Sequence, residues 1–337
     1  MASFNALIVG AGSMGRAWGQ NLDANADVTI GGWVDLRPGV AAQAAHDLGV
    51  TMYTDTDLER ALREVCPDFV VDVSSPEAHH RVTLTALAAG VPVLGEKPMA
   101  ESMEQAREMV AAAERTGKLY MVSQSRRYDP RIQAYRQLIA DRLGLLGILN
   151  SDFYIDAHFG GFRDEMSSPL LLDMAIHTFD AARYISGTDP VAVYCEEFNP
   201  GWSWYRGDAC ATAIFEMSNG LRYTYRGSWC SAGQHTSWEA DWRAVGAQGT
   251  AVWNGHAAPV ADVIVAQGGF HVQTEQHQAI VDEARPKGIA GALEEFLAAL
   301  TDGITPMGEC HDNIKSLAMV FGAIESARTK QRISIHV

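Results

Sequence analysis

Positive charge is scarce in this sequence: 26 lysines and arginines stand against 41 aspartates and glutamates, a formal net charge of −15. Phosphate backbones and anionic bilayers are bound by basic faces that displace counterions, so nucleic acid and membrane surfaces are excluded as expected partners. Cysteine is sparse as well. The five (Cys66, Cys195, Cys210, Cys230, Cys310) form an odd, scattered set without a C-x-x-C pair. That pattern argues against a disulfide framework or zinc knuckle and for reduced core thiols in a cytoplasmic protein. No apolar stretch approaches the ~18 residues of a membrane helix. Met1-Ala-Ser-Phe-Asn runs into an apolar strand with no basic start or leader segment. His235, His271 and His277 lack a ligand spacing such as H-E-x-x-H, so they are expected in exposed loops, and no metal is expected. Internal repeats and low-complexity linkers are also missing.

What is present is enough apolar residue, 47% of 337 positions, for two packed cores. The first ~120 residues alternate short β-branched runs (Ala6 to Val9, Val28 to Val34, Phe69 to Ser74, Pro92 to Gly95, Leu119 to Val122) with amphipathic helical stretches, the pattern of a doubly wound parallel sheet. The texture then changes. Helical patterns at Arg131 to Leu143 and Leu170 to Ile185 bracket an extended run from Leu145 to Asp156. From Val191 to Val265 strands dominate. Leu221, Tyr223, Tyr225 and Trp229 alternate with Arg222, Thr224, Arg226 and Ser228, and Asn219-Gly220 offers a hairpin turn. The expected second layer is a mixed, mainly antiparallel sheet, followed by helices at Gly288 to Leu300 and Asp312 to Ala327. The expected domains are residues 1–123 and 124–337.

Ala6-Leu-Ile-Val-Gly-Ala-Gly-Ser-Met-Gly15 reads as strand, G-x-G-x-x-G turn and helix. Gly10 allows the tight turn, Gly12 lets a pyrophosphate approach the backbone, and Gly15 lets the helix pack on the strand. Phosphates then sit on the helix N-terminal N–H groups, beside Ser13 and Met14. The second strand ends at Asp35, twenty residues beyond Gly15, where a carboxylate accepts hydrogen bonds from the adenosine ribose hydroxyls and repels a 2′-phosphate. NAD is therefore the expected cofactor; Arg37, two residues on, leaves NADP open because a guanidinium pairs with such a phosphate.

Two further features bear chemistry. Gly95-Glu96-Lys97-Pro98 closes a strand whose carboxyl end lines the ligand crevice, so Lys97 is expected toward the nicotinamide end; a surface lysine is the plain alternative. In Leu172-Asp173-Met-Ala-Ile-His177-Thr-Phe-Asp180, helical spacing puts Asp173, His177 and Asp180 on one polar stripe. An imidazole titrating near working pH can take an alcohol's proton as its hydride departs, while an ammonium stabilises the alkoxide. The alternative is that Asp173 serves the helix dipole and His177 is structural.

These residues resemble the Gfo/Idh/MocA oxidoreductase family over nearly the whole chain. The matching features are Gly10-Ala-Gly-Ser-Met-Gly15, Asp35, Ser75-Pro76 with His79, Glu96-Lys97-Pro98, Arg126-Arg127-Tyr128 and Asp173-x-x-x-His177. The resemblance implies a Rossmann domain followed by an α/β domain whose open sheet forms a homodimer or homotetramer interface. It implies that Ser75, Pro76, His79, Glu96 and Lys97 adjoin the cofactor. It further implies that Lys97, Asp173 and His177 surround a secondary alcohol of a sugar or cyclitol: His177 as base, Lys97 orienting the hydroxyl, and Asp173 binding a neighbouring one.

His158-Phe-Gly-Gly-Phe-Arg163 and Asn199-Pro-Gly-Trp-Ser-Trp204 look like a sugar-oxidising branch, with flat aromatic faces for pyranose C–H groups and His158 or Arg163 for hydroxyls. Trp202 and Trp204 equally suit packing in a sheet or subunit contact. Arg127 either contacts substrate or ties domains together. The leading expectation is an NAD-dependent dehydrogenase of a sugar, glycoside or inositol ring hydroxyl. The alternatives are an oxidoreductase that retains its cofactor, for aldose–aldose exchange or transient oxidation, and a non-catalytic NAD(P)-binding regulator.

Overall fold

A computed structural model describes residues 4–337, which divide into two compact units: 4–125 with Gly288–Ile314, and Arg126–Lys287 with Lys315–Val337. The first division falls near the expected boundary, but the chain returns. Gly288–Ile314 belongs to the first unit, which the sequence expectation of two contiguous domains did not contain.

The first unit runs β1 (Phe4–Val9), α1 (Ser13–Asp23), β2 (Val28–Val34), α2 (Val40–Leu48), β3 (Tyr53–Asp55), α3 (Leu58–Val65), β4 (Phe69–Asp72), α4 (Pro76–Ala88), β5 (Val93–Glu96), α5 (Met103–Thr116) and β6 (Tyr120–Ser123). The sheet is parallel throughout, in the order β3-β2-β1-β4-β5-β6. Its central strands are buried on both faces, as continuous apolar runs such as Phe69-Val70-Val71 require. β3 and α3 were not foreseen. The strand has only three residues, and the helix is set by Asp57, whose side chain caps the backbone N–H of Arg60. Chain order reverses between β1 and β4, which opens a crevice at the carboxyl ends of those strands. The returning helix Gly288–Asp302 packs Phe296 against Phe69, with ring centroids 5.3 Å apart.

The second unit contains α6 (Pro130–Arg142), β7 (Leu146–Tyr154), α7 (Phe162–Glu165), a π-helical turn (Leu170–Ala175) and α8 (Ile176–Ser186). There follow β8 (Pro190–Phe198), β9 (Cys210–Met217), β10 (Arg222–Ser228), β11 (Asp241–Gly246), β12 (Gly249–Trp253), β13 (Val260–Ala266), β14 (Gln273–Gln278) and, at the end, β15 (Ile333–Ser334). The nine strands are ordered β14-β13-β12-β11-β7-β10-β9-β8-β15, and β7 with β10 is the parallel pair in an otherwise antiparallel sheet. Asn219 and Gly220, both at positive φ, turn β9 into β10. The alternation in β10 is realised: Tyr223 and Tyr225 are buried against Phe179 of α8, and Arg222, Thr224 and Arg226 point away from that core. No helix among the described residues is long and apolar enough to cross a membrane. Four of the cysteines are buried, but Cys66 is exposed, contrary to a uniform set of core thiols; Cys210 and Cys230 bring their sulfurs to 3.7 Å.

Candidate active site

In the first unit the glycine turn sits between β1 and α1. Gly10 adopts φ +105°, and a Cβ on it would strike the Val73 carbonyl; Gly15 lies equally close to the Gly10 carbonyl. The indole N–H of Trp33 donates to that same Gly10 oxygen at 2.9 Å, fixing the turn from the second strand. Gly12, by contrast, faces open space. α1 begins with no side-chain cap and no acidic residue in its first turn, so its N–H groups and positive end are left for an anion. Ser13 and Met14 are exposed at this point. The cradle therefore fits a dinucleotide pyrophosphate.

Asp35, directly after β2, is 7% exposed, and its oxygens accept from the Ala11 N–H (2.9 Å) and from the Arg37 backbone and guanidinium (2.9 and 3.0 Å). Burial alone would raise its pKa; the bonds from Arg37 and Ala11 outweigh burial and hold the carboxyl below the ordinary value. Asp35 and Arg37 thus form one unit, with the arginine lying on the carboxylate that the sequence assigns to ribose.

Across the switch point, β4 ends in Asp72 and β5 in Glu96, with Lys97 directly after it and a cis peptide between Lys97 and Pro98. One Glu96 oxygen accepts from the Trp18 indole at 2.7 Å and the other from the Lys97 backbone N–H at 3.2 Å. Burial pushes the Glu96 carboxyl up, against the pull of Trp18 and Lys97. Ser75 and Pro76 start α4, while His79 is buried on its inner side, with Nδ1 3.0 Å from Asp72. Neither Trp18 nor Asp72 was singled out from the sequence. The available signals were a tryptophan on the inner face of the first helix and a carboxylate ending a fully apolar strand.

In the second unit, Asp173 lies in the π-turn and His177 in the first turn of α8; both are partly exposed. The Arg163 guanidinium, ten residues before Asp173, reaches its carboxylate at 2.5 Å and lies over the rings of Phe159 and Phe162. His158 stacks on Trp204 at 3.6 Å between centroids, and Trp204 continues to Tyr205 and Trp229. Trp202 is 77% exposed and donates to the Cys230 carbonyl instead, so the aromatic platform beside His158 is built on Trp204.

The polar stripe of Asp173, His177 and Asp180 is not continuous. A π-turn holds an extra residue per turn, so helical spacing no longer carries from Asp173 to Asp180. Asp180 is 1% exposed and takes a bidentate pair from Arg127 (2.8 and 2.6 Å) plus the Ser316 hydroxyl (2.6 Å). Arg127 is itself only 5% exposed. Its guanidinium takes part in this interior network. Arg126 is partly exposed and lies beside Glu239 and the Met174 sulfur.

The expectation of no metal meets one donor group among the described residues, Glu309, Cys310 and His311. Its atoms serve local roles: Glu309 accepts from the His311 backbone N–H and ring, and the other ring nitrogen of His311 reaches Glu114 at 3.0 Å. His235 pairs with Asp156 at 2.6 Å, and His277 lies in β14 instead of a loop.

Two family descriptions match this chain in tandem. Residues 4–124 match the oxidoreductase family with an NAD-binding Rossmann fold, and residues 103–252 match the GFO/IDH/MocA C-terminal domain. The chain belongs to the GFO/IDH/MocA oxidoreductases. Its relatives within the family include "Uncharacterized protein y4oX" of Sinorhizobium fredii, 27% identical over 99% of this chain and 96% of that one. Inositol 2-dehydrogenase of Rhizobium meliloti is 27% identical over 97% and 98% of the two chains. The solved structure of a levoglucosan dehydrogenase with NADH and L-sorbose superposes over the full length of both chains with a TM-score of 0.86 at 18% identity, a likeness of fold. As a GFO/IDH/MocA member the protein is an oxidoreductase whose first unit is an NAD-binding Rossmann domain, as the glycine cradle and Asp35 require.

Proposed function

We propose that this GFO/IDH/MocA protein oxidises a secondary ring hydroxyl of a sugar, glycoside or cyclitol. Bound NAD supplies the hydride acceptor. His177 takes the hydroxyl proton as the hydride leaves, Lys97 steadies the developing alkoxide, and Asp173 accepts a hydrogen bond from a neighbouring hydroxyl. The observation that carries this reading is the Arg163–Asp173 pair on the π-turn just before His177. It presents a carboxylate and a guanidinium, the donors and acceptors that a polyol needs, beside flat aromatic faces. The names of relatives, inositol and levoglucosan dehydrogenases, agree with that chemistry. Glu96, Ser75 and Pro76 adjoin the cofactor in this reading. The outer face of the nine-stranded sheet, with Ile148, Tyr194, Phe198 and Ile214 exposed, forms the contact between copies of the chain.

A steady-state screen of sugars and cyclitols with NAD and NADP, repeated on Lys97→Ala and His177→Ala, tests it. Reduced cofactor from at least one polyol and its loss in both variants are expected. No turnover of any polyol, or full activity in both variants, sinks the reading.

A further inference from the structure

The pair Asp72–His79 is buried in the first unit, at 1% and 2% exposure, and the proposed proton transfer does not use it. Asp72 Oδ1 accepts from the Ser74 N–H (3.1 Å) and hydroxyl (2.6 Å), and its Oδ2 faces His79 Nδ1 at 3.0 Å. Ser74, which this carboxylate holds, and Val73 before it are the residues against which Gly10 is packed. The pair is therefore part of the crevice wall.

Strand order says which half of the cofactor it adjoins. Asp35 follows β2 and the glycine turn follows β1, so a dinucleotide whose adenosine lies over β2 carries its nicotinamide half over β4 and β5. Asp72 ends β4 and Glu96 ends β5. Oxidised nicotinamide bears a positive ring and reduced nicotinamide a neutral one. A wall whose charge can change there discriminates between them.

We propose that the Asp72–His79 pair sets the relative affinity for oxidised and reduced nicotinamide: neutral when the imidazole is protonated, it becomes a lone negative charge when the proton leaves and then favours NAD⁺ over NADH. The titratable and charged groups facing His79 are Asp72 from β4, Glu96 from β5 with Lys97 beyond it, and Glu77 on its own helix; Tyr120 of β6 adjoins Asp72. Burial alone would lower the pKa of His79. Asp72 first, then Glu96 and Glu77, outweigh burial and hold it above the ordinary value. By reciprocity NAD⁺ expels the proton and NADH does not. His79 is a positioning residue of the cofactor site in this scheme and touches no reacting atom.

The inference rests on NAD binding to the first unit and not on the role of His177, so binding is the readout. Dissociation constants for NAD⁺ and NADH are measured on the full chain by protein fluorescence quenching across pH 6 to 9.5. The ratio Kd(NADH)/Kd(NAD⁺) is expected to rise about tenfold with pH, as one unit charge at short range in a partly buried crevice implies. It should be flat in His79→Gln, and its step should move to lower pH in Asp72→Asn. A flat ratio in the unaltered protein, or the same rise in His79→Gln, overturns the proposal. Should either variant fail to fold, proton NMR titration of the imidazole in the two complexes of the unaltered protein decides. A pKa lower with NAD⁺ than with NADH supports the coupling, and equal values overturn it. A protein that binds both nucleotides with this ratio yet oxidises no polyol leaves the inference standing and removes the proposed reaction.

Discussion

The indole N–H of Trp18 donates to a carboxylate oxygen of Glu96 at 2.7 Å, which ties the helix that follows the glycine turn to the strand end that presents Lys97. Trp18 is fully buried, so the bond cannot be replaced by water without opening the core. Trp18→Phe is expected to destabilise the protein by about 1–3 kcal/mol, the range for a buried hydrogen bond to a charged acceptor. NAD affinity should fall with it. Thermal denaturation with and without NAD checks both; an unchanged midpoint removes the tie.

Cofactor choice should turn on Asp35 and Arg37 in opposite directions. Asp35→Ala removes the ribose acceptor and the residue that restrains the guanidinium, so kcat/KM for NAD relative to NADP is expected to drop about tenfold or more, one bidentate contact being worth that much. Arg37→Ala should abolish whatever NADP activity exists. If the ratio is the same in both variants, neither side chain reaches the ribose.

The pairing of Arg163 with Asp173 separates binding from chemistry. Arg163→Ala is expected to raise KM for the polyol about tenfold while KM for NAD holds, because it loosens a substrate contact and leaves the base in place. His177→Ala should instead lower kcat by about 10²- to 10⁴-fold. Equal loss of kcat in both variants would deny them different roles.

Arg127 and Asp180 answer to stability. Removing one partner strands a buried charge, so Arg127→Ala is expected to destabilise by about 3–5 kcal/mol. KM for the polyol, per folded molecule, should not move. Urea unfolding with parallel kinetics distinguishes this from substrate contact, for which the outcomes reverse.

Glu197 gives a pH dependence of the opposite sense to a paired carboxylate. Burial pushes it from 4.5 to about 7, with Asp208 adding to the rise and the Ser168 hydroxyl opposing it. Its folded value lies above its unfolded one. The stability linked to its proton is present in full below the ordinary value and is lost as pH rises through about 7. Glu197→Gln should therefore gain about 2–3 kcal/mol over the unaltered protein at pH 8 and nothing at pH 4. Melting at the two pH values tests the sign.

The legible parts of this molecule were those written in short-range order. The glycine turn, Asp35, the end of β5 and the alternation in β10 each depend on neighbours within a few residues, and periodicity or spacing reveals them. The π-turn did not announce itself, because Leu170 to Ile185 has helical apolar spacing on either side of one extra residue. That insertion shifts Asp173 relative to His177 and Asp180, while Asp180 lies inside because Arg127 and Ser316 meet its carboxylate there. Arg127 with Asp180, and Asp72 with His79, were hidden for another reason: whether a charged side chain meets solvent or a partner depends on which elements the fold stacks above it. The platform beside His158 rests on Trp204 and not Trp202, a choice that turns on the loop's path after β8.

The return of Gly288–Ile314 to the first unit has a consequence for synthesis. Phe69 is made early, yet its ring partner Phe296 emerges only after more than two hundred further residues. The nucleotide-binding unit thus waits on the ribosome for nearly the whole chain before its core can close, while most of the second unit has already been made. A fragment ending at residue 125 carries every glycine of the cradle and lacks part of the core that holds it.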